Sequence, residues 1–104
     1  PVTDASVYIA KGSDLEKTKE ALEKGSEILV NGLKEGKQES LIEEELVNLS
    51  KELGIKINGV FQPIRVAITN STVSLPLFDS IKLLGLDNTI SRLERARKIL
   101  KESN

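Results

Sequence analysis

Apolar residues recur every three or four positions through most of this chain, the spacing of one helix face. Residues 1–12 are the exception. Val2, Val7, Tyr8 and Ile9 predict only a short helix at about 4–10. Ser13-Asp14-Leu15-Glu16 then reads as a capping box, in which a hydroxyl and a carboxylate each satisfy an orphan backbone donor. Leu15, Thr18, Leu22, Ile28, Leu29 and Leu33 follow on one face and predict a helix over about 14–33. Gly25 weakens its middle by about 1 kcal/mol relative to alanine, enough to allow a break there. Gly32 and Gly36 mark its end.

A second amphipathic run opens at Gln38 or Ser40. Leu41, Ile42, Leu46, Leu49 and Leu53 form its stripe, and Gly54 stands where a helix stops. Ile55-Lys56-Ile57-Asn58-Gly59 is a connector. Val60 to Thr69 is rich in β-branched residues, but Pro63 disfavours a central strand. A helix with Pro63 in or near its first turn fits better. Ile64, Ala67 and Ile68 share one face of it, Arg65 and Thr69 another. Asn70 tolerates the left-handed conformation that ends a helix. Ser71-Thr72-Val73 is loop. Ser74 is a natural N-cap, with Pro76 in the first turn and Leu75, Phe78, Ile81 and Leu84 behind it. Gly85 stops that helix and Asp87 caps a last one. Ile90, Leu93, Ala96 and Leu100 lie on one side of it, with Arg92, Arg95 and Lys98 on the polar side. The expected fold is all-α, a compact bundle or cage of five or six short helices forming a single domain over residues 1–104.

Composition narrows the chemistry. The chain has no cysteine and no histidine, which excludes disulfides, thiolate catalysis and the commonest general base and transition-metal ligand. Neither a GxxxxGK[ST] loop nor a GxGxxG turn occurs. Glu43-Glu44-Glu45 suits a helix N-terminus electrostatically, but consecutive helical residues point in different directions and do not converge on one ion. No metal site or catalytic constellation is expected, and the 104 residues are not expected to be an enzyme by themselves. No apolar run is long enough to span a membrane, and no signal peptide is expected. The chain starts at Pro1 and contains no methionine, so it reads as a piece excised from something longer.

Charge divides the chain. Residues 1–52 carry seven lysines, no arginine and twelve acids, a net −5. Residues 53–104 carry four lysines, four arginines and four acids, a net +4. Such a molecule can offer a basic end to a polyanion, although cations near a helix C-terminus are also favoured for dipole reasons alone. Just past the charge boundary, residues 61–78 hold two of the three prolines, both phenylalanines and the only arginine before Arg92. A guanidinium at Arg65 beside the open backbone donors of a helix starting at Ser74 is suited to reading a nucleotide edge. Pairing of Arg65 with an acid is the competing expectation. Phe61 and Phe78 are expected in the core.

Phe61-Gln62-Pro63-Ile64-Arg65-Val66-Ala67-Ile68-Thr69 closely resembles the Q-P-[LI]-R-[VA]-A-[LI]-T-G signature near the C-terminus of bacterial glutamyl-tRNA synthetases. Leu77-Phe78, Leu83-Leu84-Gly85 and Ile90-Ser91-Arg92-Leu93 resemble the motifs that follow it in that family, in the same order and spacing. The resemblance covers residues 55–104; residues 13–54 fit only as generic helices. It implies a C-terminal anticodon-binding domain that positions tRNA(Glu) for aminoacylation by a catalytic domain absent from these residues. The implied tRNA-binding residues are Gln62, Arg65, Ser74, Leu75 and Leu77. Ser74 stands where threonine is frequent, Leu75 where proline is frequent, and Asn70 where glycine is usual. Gly85 is followed by Leu86-Asp87-Asn88 in place of a basic–acidic pair. The implied partners are the tRNA(Glu) anticodon loop and upstream domains of the same synthetase. The resemblance further implies a monomeric, cytoplasmic protein, with ATP and magnesium used by the parent enzyme and no cofactor in this part. The alternative is a helical protein–protein interaction module whose leucine and isoleucine stripes dock a partner helix.

Overall fold

The computed structural model describes residues 3–73 and 75–103. A 3-10 turn at Ala5–Tyr8 precedes five α-helices: α1 (Leu15–Glu35), α2 (Glu39–Leu53), α3 (Asn58–Thr69), α4 (Leu77–Leu84) and α5 (Leu86–Lys101). The all-α bundle expected from the periodicity is what forms, and no strand occurs among the described residues.

The start of α1 is displaced by one residue from the expected capping box. Asp14 is the N-cap, and its carboxylate accepts from the Lys17 amide at 2.8 Å. An ionised carboxylate is the stronger acceptor for a helix N-terminus. The Ser13 hydroxyl is buried and has no hydrogen-bond partner among the described residues. Nor does the helix break at Gly25. Gly25 and Gly32 both lie on the buried face, and each lets a neighbouring helix approach closely. A Cβ on Gly25 would stand 2.8 Å from Ile64 Cδ1 of α3, and one on Gly32 would stand 2.7 Å from Ile42 Cγ1 of α2. Tertiary packing thus outweighs the local propensity cost. The ends of α1 and α2 are alike. Gly36 and Gly54 are left-handed, and the following amides of Lys37 and Ile55 reach back to the Gly32 and Ser50 carbonyls. This six-to-one bond satisfies carbonyls the helix leaves open.

The centre of the molecule is α3, which packs against α1, α2, α4, α5 and the 3-10 turn. Gly59, Val60, Pro63, Ile64, Val66, Ala67 and Ile68 are buried, so most of the helix is enclosed and its polar side chains are left to one edge. It starts at Asn58, inside the expected connector, because the Lys56 and Ile57 carbonyls already accept from Gly59, Val60 and Phe61. Pro63 therefore sits in the second turn, where it removes the amide that would meet the Gly59 carbonyl. Asn70 ends α3 at φ 53°, the left-handed value expected of it.

Two further starts differ from expectation. Pro76 is the N-cap of α4 and Leu77 its first residue, so Pro76 lies outside the first turn. Gly85 is at once the end of α4 and the N-cap of α5, so Asp87 falls inside the first turn. No side chain caps α5; the Thr89 hydroxyl instead donates to the Gly85 carbonyl at 2.8 Å, i to i−4 within the first turn. Leu22, Leu29, Ile42, Leu46, Ile64, Ile68, Leu93 and Leu100 form the core, with Phe78 at its edge.

Tyr8 is fully buried, and its hydroxyl makes no hydrogen bond among the described residues. Burial pushes its pKa above the ordinary value near 10, against the Arg95 guanidinium alongside, which favours the phenolate without hydrogen-bond geometry. The folded phenol therefore holds its proton where the unfolded one releases it. Stability from this group is complete below about pH 10 and falls as the pH rises past it.

Two outcomes follow from this packing. Gly32→Val lowers the unfolding free energy by about 1–3 kcal/mol, read from the midpoint of urea unfolding at unchanged slope. An unchanged midpoint would show that α1 and α2 do not close on each other at Gly32. Because Tyr8 is the only tyrosine and tryptophan is absent, alkaline titration of ultraviolet absorbance follows one group. Phenolate appears later in the folded chain than in urea, and Tyr8→Phe keeps or raises stability, since a hydroxyl buried without a partner is lost.

Candidate functional site

One face of α3 carries a ladder of polar side chains at Asn58, Gln62 and Arg65, one helical turn apart. The Gln62 carboxamide nitrogen donates to the carbonyls of Val7 at 3.1 Å and Ile9 at 3.3 Å. Its oxygen accepts from Asn58 Nδ2 at 3.1 Å. Asn58 Oδ1 in turn lies 3.5 Å from Arg65 Nη2, a weak bond. The ladder therefore joins the 3-10 segment to the arginine. Gln62 is half-buried and tied inward, whereas its place on α3 alone suggests that it points outward.

The chain beyond α3 folds back beside this ladder. Thr69 Oγ1 donates to the Arg65 carbonyl at 2.7 Å and approaches the Ser71 carbonyl at 3.4 Å. Ser71 Oγ accepts from the Val73 amide at 3.0 Å, a local turn typical of a serine side chain. Between helix and turn lies a cleft of about 370 Å³, lined by Val7, Asn58, Gln62, Arg65, Val66, Ser71, Thr72 and Val73. Arg65 is the only ionised side chain among these lining residues. Val73 is 64% exposed at the rim, an apolar surface beside a cation.

The expected site residues divide accordingly. Gln62 and Arg65 meet in the cleft. Ser74 lies outside the described residues. Leu75 is 42% exposed but does not line the cleft. Leu77 is 8% exposed and packs into the core, bordering a separate depression with Glu39, Glu43, Phe61, Pro76, Phe78 and Asp79. Three carboxylates there oppose a polyanion, whereas the cleft beside Arg65 attracts one. Asn58 and Ser71–Val73 belong to the cleft and carried no expectation of doing so. Asn58 was legible in principle: it stands four residues before Gln62 and seven before Arg65, on one helix face. Placing it in a connector hid that face.

The arrangement offers a fork of guanidinium donors, a carboxamide and small hydroxyls around an apolar rim. That inventory suits hydrogen bonding to a planar polar edge with packing of its face. Among the described residues that line it, none is an acid. Among the described residues, no group of three or more acidic side chains comes together to hold a metal, and no helix is long and apolar enough to cross a membrane.

The sequence is similar to parts of known glutamate–tRNA ligases. A glutamate–tRNA ligase of Roseiflexus sp. (strain RS-1) is 49% identical over 59 residues, 57% of this chain and 12% of that protein. One of Acidothermus cellulolyticus is 55% identical over 47 residues, 45% of this chain and 9% of that protein. One of Mycobacterium tuberculosis is 48% identical over 61 residues, 58% of this chain and 12% of that protein. The match thus spans only about a tenth of the length of these relatives. No solved structure matches the chain. Residues 2–97 match the family described as anticodon binding domain, and the chain belongs to that family.

Proposed function

We propose that these 104 residues form the tRNA anticodon-recognition domain of a glutamate–tRNA ligase, with the cleft between α3 and the turn after it as the nucleotide-reading surface. The observation that carries this reading is the cleft itself. Its one ionised lining group is a half-buried arginine, and that arginine stands with Gln62 on the central helix of a chain in the anticodon binding domain family. Arg65 acts as the donor fork toward a base edge or phosphate. Gln62 fixes the wall of the cleft and offers its oxygen. Leu75, 42% exposed on the same turn, offers apolar contact beside the cleft, and Ser74 and Leu77 enter this reading only through the sequence resemblance.

In this reading the partner is the anticodon loop of tRNA(Glu), which the domain positions for aminoacylation elsewhere in a cytoplasmic, monomeric enzyme. ATP and magnesium belong to the catalytic part of that enzyme, outside these residues, and the domain alone forms no aminoacyl bond.

A helix-docking module would need its apolar stripes exposed. They are instead used internally: Leu22, Leu29, Ile42, Leu46, Leu49 and Leu53 are all buried. Leu41, at the start of the α2 stripe, is exposed, as are Ile57, Val73, Leu75 and Leu83, but the remainder of the stripe is enclosed.

Titration of the 104-residue chain with a glutamate tRNA anticodon stem-loop tests the proposal. Binding is expected to weaken steeply with salt. Arg65→Ala is expected to cost about 1–3 kcal/mol of affinity with the helical circular dichroism preserved. A folded Arg65→Ala chain that binds the stem-loop as well as the unaltered one would remove Arg65 from the site.

A further inference from the structure

The last turn of α3 has open carbonyls that the helix cannot satisfy itself. The Arg65 oxygen receives the Thr69 hydroxyl and the Val66 oxygen receives the Asn70 amide at 2.8 Å. Asn70 then turns left-handed, which takes the following amides out of the ladder. Ile68 is fully buried, and no backbone amide reaches its oxygen among the described residues. Its carbonyl is met instead by Arg92 Nη1 of α5, 24 residues away, at 2.6 Å.

This differs from what the sequence pattern predicts for Arg92, which falls on the polar side of α5. The residue is half-buried and turned toward the end of another helix. It makes no ion pair among the described residues, although the chain holds sixteen acids. A guanidinium at a helix C-terminus meets the negative end of the dipole, and a charged donor makes the stronger bond. The position of the bond matters more than its strength. Ile68 lies between the two walls of the cleft: Arg65 and Val66 precede it, and Ser71–Val73 follow.

We infer that Arg92 is a positioning residue for nucleotide reading, acting from outside the cleft by fixing the point where its two walls diverge. The inference rests on the anticodon-recognition reading of that cleft. Without the guanidinium, the Ile68 carbonyl is buried unpaired or turns away. In either case the turn after Asn70 shifts relative to Arg65.

The test measures stem-loop affinity, its salt dependence and backbone amide shifts for Arg92→Ala. Three results are expected together. Affinity falls by about 2–30-fold, the span for a residue that acts through another. The slope of log affinity against log salt stays that of the unaltered chain. Amide shifts concentrate at residues 66–73, with α1 and α2 unmoved. A slope lower by about one would make Arg92 a direct phosphate contact and overturn the inference. Unchanged affinity in a folded variant would also overturn it. Should Arg92→Ala fail to fold, Arg92→Lys takes its place with the same readouts, because a compact ammonium does not reproduce the fork. If the unaltered chain binds no stem-loop, the anticodon reading fails by itself. The positioning role is then judged on the shifts alone, and their absence at residues 66–73 overturns it.

Discussion

Everything in this molecule depends on enclosing α3. A twelve-residue helix is too short to be stable alone in water, so its order comes from its surroundings. Here the surroundings are complete: every other helix and the 3-10 turn touch it. The enclosure needs close approach. Gly25 supplies it against Ile64, and Gly32 draws α2 onto α1 in the same way. The few places where α3 is not covered by apolar side chains are therefore meaningful. They are the Asn58–Gln62–Arg65 edge, which lines the cleft, and the carboxyl end met by Arg92, which lies between its two walls in sequence.

Electrostatics separate the two concave regions near the turn. Both border residues from one short span of sequence and they are alike in size, about 370 Å³ each. One is lined by three carboxylates and a phenylalanine pair, the other by hydroxyls, amides and one arginine. The strong charge division between the two halves of the sequence is thus expressed locally. Glu39 and Glu43 of the acidic half line the Leu77 side, and none of the described residues lining the Arg65 side is an acid. A polyanion meets repulsion on one side of the turn and attraction on the other.

Much of the helical layout was legible in the sequence. The stripes through Leu22, Leu46 and Leu93 needed only periodicity, and Gly36, Gly54 and Asn70 mark ends because few residues adopt left-handed backbone. What failed were starts. Leu15, Asn58, Leu77 and Leu86 each begin a helix one or two residues from the expected place. A start is decided by which acceptor or carbonyl is nearest, and several neighbours qualify on composition. The cleft was half legible. Gln62 and Arg65 stood out by residue type. The inward ties of Gln62 and the burial of Leu77 depend on segments distant in sequence, and so does the attachment of Arg92 to Ile68. Periodicity within one helix carries no information about such partners.

The direction of the Gln62 carboxamide is fixed without seeing a hydrogen. Two carbonyl oxygens, of Val7 and Ile9, face one of its terminal atoms, so that atom is the nitrogen. A primary amide nitrogen has two hydrogens, and both are engaged. What Gln62 has left for an incoming group is one lone pair on its oxygen, the other being taken by Asn58. Arg65, three residues on, can only donate. The two side chains thus form a polarised pair, one asking for a donor and the other for an acceptor. A planar group that carries an amino nitrogen and a carbonyl oxygen side by side satisfies both at once, and one with two like groups leaves one of them unanswered.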